Sequence, residues 1–470
     1  MVIDALKYQI LQQFGFVPTE EQALAVDTFV HFLMDGDSRS VMILRGSAGT
    51  GKTALSGAIV RTLKALQQKV VLLAPTGRAA KVFSQNSGCP AYTIHRRIYR
   101  EKTFAGVDGT FNLNDNLYAD TLFMVDEASM IANMGLGESA FGSGCLLDDL
   151  VHFVYQGRND KLMLIGDKAQ LPPIGEEESP ALNAIMLGGY GLKVYECDLN
   201  EVVRQSQESG ILYNATVIRQ MITHDDVTQL PLIRFKGFAD IVMVPGNELV
   251  ESLANSYYQV GQDETMVITR SNKRANIYNN GIRNMVLDRE DELSGGDMLM
   301  IVKNNYFWTD KEPPFLANGD RAKVLRVRRH AELYGFRFAN LQLQFPDYDN
   351  YELEVTALLD TLQSEAPALT RDQQEQLFRG VEEDYQDVPL KADRMKSIRK
   401  NPYFNALQVK YAYAITCHKA QGGQWAHVYV DQGYMTDEML TPDYIHWLYT
   451  AFTRATDKLF LVNWPKTQTE

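Results

Sequence analysis

Continuous apolar runs of four to six residues, each ending in a loop rich in Gly, Pro or acidic residues, recur through the first part of the chain. They are "SVMILRGSAGTGKT", "KVVLLAPTGRAA", "TLFMVDEASM" and "KLMLIGDKAQLPP". Such runs fit strands covered on both faces, and the intervening segments are long enough for helices, so a parallel α/β sheet is predicted. Ligands belong at the loops that end those strands. A second set of units begins after about residue 190, with "YECDLNEVVRQ", "TMVITRSNKRANIYNNGIR", "HVYVDQG" and "KLFLVNW". Between these, residues 291–405 change period. "RAKVLRVRR", "FRFANLQLQF" and "NYELEVTALL" alternate apolar and polar positions, the pattern of a small antiparallel barrel or sheet. The charged run that follows, "TRDQQEQLFRGVEEDYQDVPLKADRMKSIRK", reads as exposed helix and loop. The predicted organisation is two α/β domains, the second split by a β-rich insertion.

Composition narrows this only a little. The 470 residues are 45% hydrophobic and 22% charged, ordinary for a globular chain with room for several domains. No apolar run approaches the roughly 20 residues that span a bilayer, and "MVIDALKYQI" lacks the order of a signal peptide, so no membrane association and a cytoplasmic location are expected. The 4 cysteines form no CxxC pair, so free thiols are expected. A net charge of −13 argues against indiscriminate binding of nucleic acid but leaves a local basic channel open.

The chemistry sits at the strand ends. Gly46 to Thr53, "GSAGTGKT", matches G-x-x-x-x-G-K-[ST] between a strand and an amphipathic segment. Backbone amides through Gly46, Ala48, Gly49, Thr50 and Gly51 would cradle phosphates, Lys52 would reach the β/γ oxygens of ATP, and Thr53 would ligate Mg²⁺. "LFMVDEAS" offers Asp126 as the second partner of Mg²⁺ and Glu127 as general base, and "GDKAQLPPIG" places Gln170 where an amide meets the γ-phosphate and the attacking water. Arg204 in "LNEVVRQ" and Arg454 in "YTAFTRA" are the candidate arginine fingers from the second domain. In "YAYAITCHKAQGGQW", Cys417, His418, Lys419 and Gln421 precede two glycines. A metal site there lacks other spaced ligands, and the hydrolytic groups lie elsewhere, which leaves a loop that couples two binding events.

The order of these elements resembles a superfamily 1B DNA helicase of the RecD-like and Dda-like group. Along the chain run "PTEEQ" with Gln22, "GSAGTGKT", "APTGRAAK", "TIHRRIY", "VDEASM", "GDKAQLPP", "LNEVVRQ", "AITCHKAQGGQ" and "YTAFTRA", corresponding to that family's Q-like motif and motifs I, Ia, Ib, II, III, IV, V and VI. The resemblance implies two RecA-like P-loop domains, with a β-hairpin insertion in the first and an SH3-like β-rich insertion in the second. The domains are then 1–190, with a wedge hairpin at about 97–118; 191–290 together with 406–470; and the insertion 291–405. It also implies ATP-driven movement 5′→3′ along single-stranded DNA, with duplex separated at single-strand/double-strand junctions, by a chain acting as a monomer. Gln22 would read adenine. Pro75, Thr76 and His95 would touch DNA, with Phe104 in the wedge segment "REKTFAGVDGTFNLND". In motif V, Thr416, His418 and Lys419 would face DNA, while Gln421, Gly422 and Gln424 approach the nucleotide. The chain departs from the family at Ala420, commonly Ser, and at Gln424, commonly Glu. Two other readings are a P-loop ATPase acting as a regulatory module without unwinding, and an RNA helicase of the related Upf-like branch.

Overall fold

The computed structural model describes residues 2–101, 111–135, 142–202, 208–226, 228–309 and 316–470. Among them, eighteen strands form two parallel sheets, a closed barrel and a hairpin. The first sheet contains β1 (Ser40–Gly46), β2 (Lys69–Ala74), β3 (Ala91–Thr93), β6 (Thr121–Val125), β7 (Lys161–Gly166) and β8 (Lys193–Leu199), in the order β3-β2-β6-β7-β1-β8. The predicted double coverage is visible residue by residue. Val41, Ile43, Phe123 and Leu162 pack into one core cluster, whereas Met42, Leu44, Met124 and Met163 pack into another on the opposite face. Between β3 and β6, β4 (Tyr99–Glu101) and β5 (Phe111–Leu113) pair antiparallel as the base of a hairpin. Phe104, expected in the wedge, lies outside the described residues.

The second sheet contains β9 (Ile241–Val244), β10 (Thr265–Thr269), β16 (Ala414–Thr416), β17 (Trp425–Asp431) and β18 (Ala455–Val462), in the order β16-β10-β17-β18-β9. The insertion closes as a barrel of β11 (Met298–Ile301), β12 (Arg321–Leu333), β13 (Phe336–Phe345), β14 (Tyr351–Leu358) and β15 (Leu407–Tyr411). Period-two alternation explains the register: Leu341 pairs with Val355 and Leu343 with Leu353, so the apolar positions share a face.

Three sequence expectations move. The first domain does not end at 190, because β8 is the edge strand of the first sheet and pairs with β1 along its length. The physical reason is a charged pair the apolar pattern does not carry. Arg45, 8% exposed at the end of β1, donates to Asp198 at 2.5 Å and to Glu196 at 2.7 Å on β8. The insertion does not close at 405 either, since β15 pairs with β11 and β14 before the chain passes, two residues later, into the second sheet. Finally, the charged segment is only half exposed. Its helices Arg371–Glu383 and Lys391–Arg399 bury Leu377, Val381 and Ile398 against Phe336, Phe338 and Leu358. No helix among the described residues is long and apolar enough to cross a membrane.

Candidate active site and nucleic-acid interface

The strand-end loops of the first sheet converge on a cleft of about 430 Å³. After β1 the chain turns through Gly49 and Gly51 at φ +78° and +77°, a backbone that side chains rarely adopt, and enters the helix Lys52–Ala65 with no capping side chain. That leaves the helix N-terminus as an anion site. Lys52 Nζ donates to Gly46 O at 3.0 Å, folded onto its own loop. Gln22 does not line the cleft. It is 2% exposed, its Nε2 donates to Thr50 O at 2.9 Å and its Oε1 accepts from Thr19 N at 3.0 Å, so here it props the loop.

Asp126 and Glu127 follow β6 at the cleft wall. Burial, then the neighbouring Glu127, pushes the Asp126 carboxyl up to about 6, against the pull of Lys52. Glu127 stands at φ +52°, a left-handed conformation of the kind that clusters at functional sites, and its buried Oε2 has no hydrogen-bond partner among the described residues. Gln170 likewise keeps a buried Oε1 without a partner. Unsatisfied acceptors in a polar cleft suit a hydrated cation and a water held for attack. No group of three or more His, Cys, Asp or Glu residues that could hold a metal occurs among the described residues. Asp126 and Thr53 are the residues that would hold a Mg²⁺ ion here.

The opposite wall comes from the second domain, in the loops leading into β17 and β18. Gly422, Gln424 and Arg454 line it. Arg454 is 2% exposed and, among the described residues, donates to neutral acceptors: Thr450 O at 3.0 Å, Gly423 O at 3.1 Å and Thr453 Oγ1 at 3.2 Å. Arg204, the other candidate finger, lies outside the described residues. Gln421 does not line the cleft. Its Nε2 donates to Leu171 O at 2.6 Å in the loop after β7.

Sequence reasoning missed how tightly that loop is held. One face of the helix Pro442–Phe452 presents His446, Tyr449 and Thr450 to it: His446 Nδ1 meets Ala169 O at 3.0 Å, Tyr449 donates to Asp167 Oδ2 at 2.7 Å, and Thr450 Oγ1 accepts from Leu171 N at 2.8 Å. Spacing of three and four residues puts them on one helical face, a signal that was available in "HWLYT" but has many ordinary causes.

The candidate DNA-contacting loops meet at the same junction. Pro75 and Thr76 follow β2, where Thr76 caps the helix Gly77–Ser87 through Ala79 N. Gly422, at φ +71°, comes so close that a Cβ there would stand 3.1 Å from Thr76 Oγ1. Thr416 ends β16, with His418 exposed and Lys419 half-buried beyond it, and burial draws both of their pKa values down. Ala420 is wholly buried, so this position faces the core rather than a DNA strand. His95 sits half-buried against Tyr99 at 5.6 Å between ring centres, and burial lowers it to about 4. It offers a neutral ring, not a cation.

Also unforeseen is a junction of all three units around Trp425. Arg78 lies over its ring at 5.7 Å and Arg321 of the barrel at 6.0 Å. Arg78 and Lys81 also reach Asp347 of the barrel. A second cleft of about 340 Å³ lies beside them, walled by Tyr92, Thr93 and Arg96 on one side and Tyr348 on the other.

The fold and this cleft define a two-domain P-loop protein whose strand-end cleft is lined by both domains. Residues 19–228 match the family model described as an AAA domain, and residues 411–462 the UvrD-like helicase C-terminal domain. The chain is 27% identical over 197 residues to the ATP-dependent RecD2 DNA helicase of Deinococcus radiodurans, covering 42% of this chain and 23% of that protein. It is 21% identical over 505 residues to the uncharacterized protein R530 of Acanthamoeba polyphaga mimivirus, covering 93% of this chain and 98% of that one. The uncharacterized protein MJ1519 of Methanocaldococcus jannaschii matches at 33% over 171 residues, 34% of this chain and 14% of that one. The chain thus spans less than a quarter of two of these relatives and nearly all of the third. Among solved structures, a Bacteroides Pif1 helicase in complex with ADP-AlF3 and ssDNA is similar at 14% identity and a TM-score of 0.47, covering 96% of this chain and 94% of that one. In its first domain and its C-terminal segment the chain is thus similar to P-loop helicases.

Proposed function

We propose that the protein is an ATP-driven motor that moves 5′→3′ on single-stranded DNA and separates duplex at a single-strand/double-strand junction. The observation that carries this reading is the coincidence of two contacts at one domain junction. The cleft has Lys52, Glu127 and Gln170 on one wall and Arg454 on the other, and Gly422 of the second domain lies so near Thr76 of the first that a Cβ on it would stand 3.1 Å from Thr76 Oγ1. Filling or emptying the cleft therefore bears on the spacing of the loops that would hold DNA.

In the hydrolytic step, Lys52 turns from Gly46 O to the β/γ oxygens, and Glu127 takes the proton of the water that Gln170 orients. Arg454 stabilises the charge that develops on the γ-phosphoryl group, and its hydrogen bonds among the described residues go to neutral acceptors, which suits it to this role. Thr53 and Asp126 would hold a Mg²⁺ ion, which would supply neutralisation of phosphate charge. His418 and Lys419 would grip the DNA backbone, with Pro75, Thr76 and His95 supplying polar and stacking surface. One chain contains both walls of the cleft, which supports action as a monomer. Unwinding of duplexes with a 5′ tail against the same duplexes with a 3′ tail tests activity and direction together. Opening of the 5′-tailed substrate alone is expected. DNA-independent ATP turnover with neither substrate opened would instead favour a regulatory ATPase.

A further inference from the structure

One amide of the phosphate loop is already taken. Tyr449 accepts the Ala48 N–H at 2.9 Å while donating to Asp167 Oδ2 at 2.7 Å, and it is 1% exposed. Among the described residues this is the one hydrogen bond from the loop Gly46–Thr53 to the second domain. The other contacts that join the same helix and its neighbour to the first domain, through His446, Thr450 and Gln421, reach the loop after β7 and leave the phosphate loop untouched.

We infer that Tyr449 is a positioning residue that reports phosphate occupancy to the second domain, an inference that rests on the nucleotide reading above. Its hydroxyl satisfies the Ala48 amide, a donor that a phosphate oxygen would otherwise claim. A nucleotide phosphate that claims this amide returns the hydroxyl to Asp167 alone, and the helix loses its hold on the loop. The same helix carries the signal in two directions. Its Tyr449 and Thr450 carbonyls accept from Thr453 and from Arg454, and its Trp447 carbonyl accepts from Cys417 beside His418 and Lys419. Release of one hydroxyl thus bears on the finger and on the DNA-facing segment together.

The competition has a sign. The hydroxyl stabilises the empty loop and not the filled one, so removing it raises nucleotide affinity, whereas loss of a residue that merely packs would lower affinity or leave it unchanged. Fluorescent ADP is titrated into the full chain without DNA, for the wild type, Tyr449→Phe and Thr450→Val, with thermal melts to verify folding. Tyr449→Phe is expected to bind roughly two- to tenfold more tightly, the worth of one neutral hydrogen bond, and to lose stimulation of turnover by single-stranded DNA. Thr450→Val, which loosens the loop after β7 without touching the phosphate loop, is expected to gain no affinity. Should Tyr449→Phe fail to fold, Asp167→Asn weakens the hydroxyl's other bond and is expected to tighten binding by a smaller factor. Unchanged or weaker binding by Tyr449→Phe, or equal tightening by Thr450→Val, overturns the inference while leaving the motor reading intact. A wild type that binds no nucleotide overturns both.

Discussion

The two walls of the nucleotide cleft are built by different means. On the first-domain side, consecutive strand-end loops of one parallel sheet deliver Lys52, Glu127 and Gln170, and each arrives with atoms waiting: Lys52 on a carbonyl of its own loop, Glu127 and Gln170 with buried oxygens lacking partners. On the second-domain side, Arg454 is held in place by three neutral acceptors from its own domain, and Tyr449 and Gln421 are bonded across the junction. The first wall is a site prepared for chemistry. The second, on the proposed reading, registers whether the first is filled. If so, hydrolysis and its coupling to DNA should be separable by mutation.

The largest effect is expected from Lys52→Ala, which removes the loop's only ammonium and should abolish phosphate release with or without single-stranded DNA. Glu127→Gln should follow, with nucleotide binding retained and turnover lowered by about 10²–10⁴, the range for loss of a general base. Intact turnover in either variant would break the assignment of chemistry to the first wall. Gly422→Ala sharpens the other side. A side chain at φ +71° that must also stand 3.1 Å from Thr76 and Ala79 should cost about 1–2 kcal/mol and depress the stimulation of ATP turnover by DNA more than turnover without DNA. Equal loss in both conditions would mean that this contact does not couple the domains.

The smallest effect lies where the barrel meets the first domain. Burial pushes the Asp320 carboxyl up to about 7 from 3.8, and Tyr348, which abuts Gly77, donates to it. Between those values the folded chain holds a proton that the unfolded chain has released. This group's contribution to stability is therefore complete below about pH 4 and is lost as pH rises through about 7. Asp320→Asn removes that dependence, so the wild type should lose stability relative to the variant across this window in urea melts at successive pH values. A constant difference would remove Asp320 as a titrating group.

Much of the first wall was legible because its signals are local. A strand of apolar residues, a glycine pair with positive φ, and a lysine at a helix start are adjacent in sequence, and the alternation of Met42 and Ile43 to opposite cores follows from the same run. The barrel was legible for the same reason, its period-two strands pairing as Leu341 with Val355. The edge strand β8 was not, because Arg45 and Asp198 are distant in sequence and an ion pair inside a parallel sheet leaves no periodic trace. Tyr449, Trp425 and Arg321 share that limitation. Each looks like an ordinary core or surface residue until the sheets are placed side by side. Gln22 shows a subtler limit, since its motif locates it beside the phosphate loop, but only geometry reveals that both ends of its amide are engaged.

The central claim is that one ATP site is assembled from two domains. It is tested most directly by measuring ATP binding and DNA-stimulated turnover in Arg454→Ala. Binding is expected within a few-fold of wild type, with turnover reduced by about 10³ or more, the worth of an arginine finger. Full turnover in Arg454→Ala would contradict that claim.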